Sequence, residues 1–562
     1  MPGQVAGRQA APARLAALPR RTRERLGDVE PAVRLGPRGD QVQVGPVAPL
    51  RHEQAEVVRR PADRLRGVLR PPRPGLASGR DELGLGGPGG KPLTANAYLG
   101  AFGIAAALQK GADIVVTGRV TDASVVVGPA VAHFGWGREE YDALAGAVVA
   151  GHVVECGTQA CGGNFSGFRS IHPDARPIGF PLAEIHADGS AVITKHPGTG
   201  GAVTLDTVTA QLVYEVQSPL YLGPDVSARL DTVELSEDGP DRVRISGVRG
   251  EAPPAQLKVS LNELGGFRNS CELVLVGLDI EEKAAWVRAQ VEAALASRRP
   301  ASVEWSLART DREDAGTEEA ASSRLRCTVK DADPQVVGKA FTAAVVELGL
   351  ASYPGFTLTA PPAPASPYGI YRPAYVDQTA VAHTVVHADG SSQLIPPPPA
   401  YAGPSAPRQE HPEVVADATG RELREQAPVD VRTRRLPLGT FVHARSGDKG
   451  GDANVGLWVD RTRSTPERVA WLTKLVTPER VRELVPEAED LEVEVYPLPN
   501  LGAVNVLIRG LLGEGVAASS RFDPQAKALG EWLRSRYVSI TEDLLRDQQS
   551  AAGDASGRSD GR

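Results

Sequence analysis

The stretch from residue 111 to residue 168 constrains the fold more than any other part of this sequence. It opens GADIVVTGRVTDASVVVGP and closes HVVECGTQACGGNFSGF. Residues 112–116 are a short apolar run between glycines, which predicts a strand buried on both faces, as parallel sheets bury theirs. The chain then breaks at Gly118 and sets Arg119, Thr121, Asp122 and Ser124 at the start of a predicted helix over 123–134. An amphipathic helical pattern over 94–109 precedes the run. Helix, strand, loop and helix in that order predict an α/β body with a mainly parallel sheet. The closing loop holds Gly157, Gly162, Gly163 and Gly167, more glycine than packing needs, and carries Glu155, Cys156, Gln159, Asn164 and Ser166. Open α/β sheets place ligands just beyond the carboxyl ends of their strands, so a site is expected here.

A chain of 562 residues is too long for one core, and two or three domains are expected. Residues 1–90 have 16 Arg, no Lys and 9 acidic residues, and lack Ile, Phe, Tyr, Trp, Asn and Cys. Such a segment buries too little apolar surface to offset its ordering entropy, so 1–92 reads as disordered or non-native. A GC-rich coding stretch translated out of frame would carry the same Arg, Pro, Gly and Ala bias. With +7 there and −7 overall, the remainder carries −14, which argues against nucleic acid as a partner. No apolar run reaches the length of a membrane span, and no secretory signal core is present. The four cysteines form no CxxC pair, which fits reduced thiols in a cytoplasm.

Asp188-Gly189 predicts a hairpin within 181–193, and Asp238-Gly239 predicts another. Between them, KHPGTGG (residues 195–201) leads into a predicted helix that ends near Val216. Strands are expected over 228–235, 242–248, 256–261 and 272–276, a helix over 281–296, and further strands near 303 and over 325–329. The body is bounded at 93–387. The proline run 396–399 and its polar surroundings mark 388–435 as a linker. A second domain over 436–540 alternates strands and helices like a small α+β sandwich, and residues 541–562 read as a disordered tail.

The candidate chemistry sits at these turns. Asp122 is placed to be a general base or to hold a metal through its carboxylate, or simply to cap its helix. Glu155 beside Cys156 offers an acid/base or nucleophile pair, although a half-buried Cys is more often inert. Asn164 with the N–H groups of Gly162 and Gly163 resembles an oxyanion hole, or simply a close-packed glycine loop. At the second glycine cluster, Lys195, Gly200 and Gly201 suit an anion, and His196 suits proton transfer; an ordinary tight turn would read the same way. Arg119 adds a positive charge near Asp122. In the second domain, Asp448 and Lys449 lie on a tight Gly/Asp loop that either binds an anionic substrate group or docks on the body. No HxH, HExxH or carboxylate spacing points to a metal, and no motif names a cofactor, which stays unknown.

The phrases GADIVVTGRVTDASVVVGP, LAGAVVAGHVVECGTQACGGNFSGF, TKHPGTGGAVT and HARSGDKGGDANVGLW resemble the acyclic terpene utilisation protein A (AtuA) family over roughly 93–540. The resemblance implies an AtuA α/β domain followed by a small ferredoxin-fold domain. It also implies a role in bacterial breakdown of citronellol- or geraniol-like terpenes or related branched acyl compounds. The family's Gly-rich N-terminal start does not appear in residues 1–90, which implies a truncated body. Two classes of function follow. One is an enzyme acting on a terpenoid acyl thioester or acid, with a homo-oligomer as a possible state. The other is a non-catalytic partner of the pathway's enzymes.

Overall fold

The computed structural model describes residues 92–171, 176–402 and 432–546, together with the backbone of three short strands at 33–34, 41–44 and 69–70. The rest of the segment 1–92, most of the linker and most of the tail lie outside the described residues.

All the sheets are antiparallel, which overturns the expected parallel sheet. Residues 112–116, the expected central strand, form no strand. They run as exposed coil, with Ile114 68% and Val116 72% accessible, and the nearest ladder is a single parallel bridge between Leu99 and Val120. The physical reason is that a short apolar run specifies a strand only where neighbours exist on both sides to take its N–H and C=O groups. Here the strands of the body are instead joined by hairpins and long returns, which pair antiparallel.

The first of these hairpins is the one signalled by Asp188-Gly189. Strands Pro181–His186 and Ala191–Lys195 pair antiparallel, with Gly189 at φ +84°. Gln41–Val44 pairs with the first of them, and Val243–Ser246 extends the sheet beyond the second. Helices Ser124–Phe134 and Tyr141–Val154 cover this sheet, burying Val126, Val127, Leu144, Val149 and Val153. Helix Tyr141–Val154 sits unusually close, because Gly146 lies against the Gly189 backbone and Gly151 against Ala123.

The second sheet is built on one 21-residue strand, Gln256–Val276. Two separate strands were expected here, over 256–261 and 272–276. The strand continues through a bulge, with a register shift between Leu264 and Gly266 and Gly266 at φ +124°, a conformation that glycine adopts cheaply. Its first half pairs with Ser366–Asp377 and Pro92–Ala97, and its second half with Ser322–Asp331. Helix Ile280–Leu295 packs over the second half through Ala284, Val287 and Val291.

The C-terminal unit is α+β, as expected. Its sheet has four antiparallel strands in the order Val442–Lys449, Asp452–Val459, Ala503–Ile508 and Val493–Leu498. Helices Pro466–Leu475, Pro478–Leu484 and Leu529–Ser535 complete its core. The expected loop at 445–452 is mostly strand, turning only at Gly450 and Gly451. Its polar residues are buried rather than exposed: Arg445 reaches Asn164 and Gln159 of the first domain, and Ser446 donates to Ala526 O within its own unit. Trp458, Leu498, Leu501 and Ala503 of this unit belong to the hydrophobic core of the first domain, so the two pack as one body. No helix among the described residues is long and apolar enough to cross a membrane.

Candidate functional site

The chemistry gathers where these two domains meet. Helix Tyr141–Val154 is buried along most of its length, and its last turn carries His152. His152 is fully enclosed, and its pKa falls to about 4 because burial disfavours the imidazolium, with the Lys449 charge adding to the effect. Its Nε2 has no hydrogen-bond partner, and its ring stands 4.9 Å from that of Tyr221.

Glu155 follows at the end of the same helix. Its carboxyl is pushed up to about 7, first by desolvation and then by the nearby Asp122 carboxylate, while Lys449 pulls the other way. Glu155 keeps an exposed edge although protein surrounds it, as a residue lining a cleft does. The Cys156 thiol donates to Glu155 Oε1 at 3.4 Å. Burial and that carboxylate push the thiol up to about 12, so Cys156 is no nucleophile at neutral pH.

Across from these acids stand cations drawn from distant segments. Arg119 lies 3.7 Å from Asp122, donates to the Tyr98 hydroxyl at 3.1 Å, and stacks 4.3 Å over the Tyr98 ring. Asp122 therefore does not cap its helix; its partner is Arg119. Lys258, from the long strand, has its ammonium 5.7 Å and 5.8 Å from the Tyr98 and Tyr371 ring centres. Lys449, from the C-terminal hairpin, lies close enough to Glu215, Glu155 and Asp122 for their charges to act on it. Burial lowers the pKa of both lysines, and the charge of Lys258 lowers Lys449 further. Glu215 pairs with Lys527 at 3.1 Å and holds φ +55°, fixed by a 2.7 Å bond from its N–H to Asn454 Oδ1 of the other domain. Asp448 lies 3.9 Å from Lys527, and burial raises its pKa.

Of the residues singled out in the sequence, the structure thus brings Arg119, Asp122, Glu155, Asp448 and Lys449 into one neighbourhood. The glycine loop lies beside it but is occupied by itself. Gly162 N–H donates to Gln159 O at 3.0 Å and Gly163 N–H to Thr158 O at 3.0 Å, so these amides are not held out for an oxyanion. Asn164 adopts φ +56°, and its carbonyl accepts from Arg445 at 3.3 Å. The second glycine cluster does pack on the first, with Ala202 N–H on Cys161 O at 3.0 Å and Gly201 pressed against the same carbonyl. Its charged groups face elsewhere. Lys195 pairs with Asp241 at 3.2 Å, His196 is exposed, and Gly200 donates to Pro177 O.

Sequence reasoning did not find His152, Glu215 or Lys258. The one signal for Lys258 was its place between Leu257 and Val259, which puts a lysine on the face opposite two buried residues. His152 lies within an apolar helix and gave none. Two surface hollows of about 450 and 470 Å³ lie elsewhere, by Arg435 with Trp532 and by Glu139 with Asp188; neither joins opposed acids and bases from both domains.

Residues 71–387 match the family model described as "Acyclic terpene utilisation family protein AtuA", and residues 436–539 match the AtuA ferredoxin-like domain. No curated protein and no solved structure matches the chain.

Proposed function

We propose that the chain, which belongs to the acyclic terpene utilisation (AtuA) family, is an enzyme acting by general acid–base catalysis on a branched acyl compound of citronellyl or geranyl type. The observation that carries this reading is Glu155, a carboxyl raised to about 7, within electrostatic reach of Lys449 from the other domain, which itself lies near Lys258. A base tuned to the working pH is the most effective proton-transfer group. In the step proposed, Glu155 takes a proton from the α-carbon of a saturated citronellyl thioester, or from a γ-carbon of the α,β-unsaturated geranyl thioester. The electron pair moves onto the carbonyl oxygen, and the cations of Lys258 and Lys449 stabilise the enolate. Reprotonation by Glu155 completes the cycle. Asp122 keeps the Glu155 proton affinity high, and Arg119, 3.7 Å away, holds Asp122 in place. The cysteines all being free agrees with a cytoplasmic setting.

The test is deuterium uptake from D₂O into citronellyl and geranyl thioesters, followed by NMR with purified protein. Uptake that disappears in Glu155→Gln supports the reading; no uptake above buffer with either compound overturns it. The exposed Ile114 and Val116 favour a second reading, a non-catalytic partner of pathway enzymes. Capture of one such enzyme from terpene-grown cells, lost on Ile114→Ser with Val116→Ser, would support that reading instead.

A further inference from the structure

A second polar cluster lies at the same domain junction and takes no part in the proposed reaction. Asp206 comes from the first turn of helix Leu205–Leu212, His443 from strand Val442–Lys449, and Asp460 from the end of strand Asp452–Val459. One ligand atom from each lies within 4.8 Å of both others. We propose that these three residues bind a divalent transition-metal ion of the zinc type, which clamps the C-terminal domain onto the first.

The local hydrogen bonds set each ligand in place. Ser166 Oγ accepts from Ala444 N–H at 3.3 Å and stands 2.9 Å from His443 Nδ1, which leaves Nε2 facing the two carboxylates. That nitrogen is 3.7 Å from Asp460 Oδ2, too long for a hydrogen bond. It is close to the separation of about 3.3–3.6 Å that two ligand atoms take around a tetrahedral ion with bonds of 2.0–2.2 Å. Asp206 Oδ1 accepts from Trp458 Nε1 at 2.8 Å and Asp460 Oδ1 from Thr462 N–H at 2.9 Å. Metal-binding carboxylates are commonly steadied by such donors. The Arg461 guanidinium donates to Leu501 O at 2.8 Å, while its backbone N–H donates to Asp206 Oδ1 and Oδ2 at 3.2 and 3.3 Å and its charge also acts on Asp206. Two buried or half-buried carboxylates therefore converge on one imidazole nitrogen with a gap between them. One nitrogen and two oxygens suit zinc and its neighbours, with a fourth position left for water.

The full-length chain, stripped with chelator and dialysed, is titrated with Zn²⁺ by calorimetry and checked by X-ray absorption. The expected result is one equivalent bound through one imidazole nitrogen and carboxylate oxygens, with a rise in Tm that EDTA reverses. His443→Gln and Asp460→Asn each abolish both effects, and Ser166→Ala retains the equivalent with affinity weakened 10–100-fold. No binding at millimolar zinc overturns the proposal, as does binding that survives both substitutions or shows sulfur ligands. A Tm unchanged by zinc and by EDTA also overturns it, since a protonated His443 bridging the carboxylates would behave so. The wild-type result alone can refute the proposal, so a variant that fails to fold does not shelter it.

Discussion

Replacing Glu155 by Gln removes the charge that the cleft resists, and the consequence can be measured without knowing the substrate. A carboxyl raised from 4.5 to about 7 corresponds, at 1.36 kcal/mol per pH unit, to about 3.4 kcal/mol favouring its protonated form. Glu155 keeps an edge in water, which screens its neighbours, and half of that figure is the better expectation. The sign follows from proton counting. Between pH 4.5 and 7 the folded chain holds a proton there that the unfolded chain has lost, so stability falls as pH rises through this window. Gln cannot ionise and escapes that loss. Glu155→Gln should therefore unfold at higher temperature than wild type at pH 8, by about 1–2 kcal/mol relative to the same comparison at pH 5. For a body of this size that is about 1–2 °C, read by calorimetry or circular dichroism melts. The same substitution in an Asp122→Asn background should gain less, because Asp122 is the second cause of the shift. A Glu155→Gln advantage that does not change between pH 5 and pH 8 would refute the argument that this carboxyl is held near neutrality.

Two further outcomes are expected. His152, buried and neutral with a pKa near 4, contributes stability above its unfolded value of 6.5 that is lost as pH falls toward 4. His152→Gln should flatten this acid limb by about 3 kcal/mol in pH-dependent melts, and a limb as steep as that of wild type would count against its burial. Gly146→Ala should cost about 2–3 kcal/mol in denaturant unfolding, because a methyl group there collides with the carbonyl of Gly189 and neither backbone can yield without moving the hairpin. A cost under 0.5 kcal/mol would mean that helix Tyr141–Val154 is not seated against that turn.

Local signals survived the passage from sequence to structure better than long-range ones. Asp188-Gly189 and Asp238-Gly239 each specify a turn through a few residues, and both hairpins formed. Helix Tyr141–Val154 is legible because its apolar residues continue through about four turns. Residues 112–116 show the limit. Apolar character says that a run suits a sheet interior, while pairing depends on strands far away in sequence. The polar stretch 445–449 failed in the opposite sense, since its burial comes from another domain that no local pattern reveals. The site was half legible for the same reason. Asp122 and Glu155 stand at element ends, where reactive groups are sought, and so were found. Lys258 lies within a strand and His152 within a helix, and their roles arise only from what the fold sets against them.

The electrostatics of the cleft depend on how tightly the domains are joined. Gly456 lies against Val213 and Gly447 against Tyr214, so the C-terminal hairpin approaches the chain at 213–216 at the distance of bare backbone. Asn454 then fixes Glu215 through its N–H, and Asn505 reaches Val216 O at 3.3 Å. Lys449 lies at the far end of the strand that carries Gly447, so its ammonium inherits that close registration. Coulomb energies at a few ångströms in a partly dry cleft change steeply with distance. A looser docking, by even the width of a methyl group at Gly447 or Gly456, would separate Lys449 from Glu155 and admit water between them. The small domain is therefore part of the proposed acid–base site: it supplies one of its two lysines, and the glycines of its hairpin set how near that lysine comes.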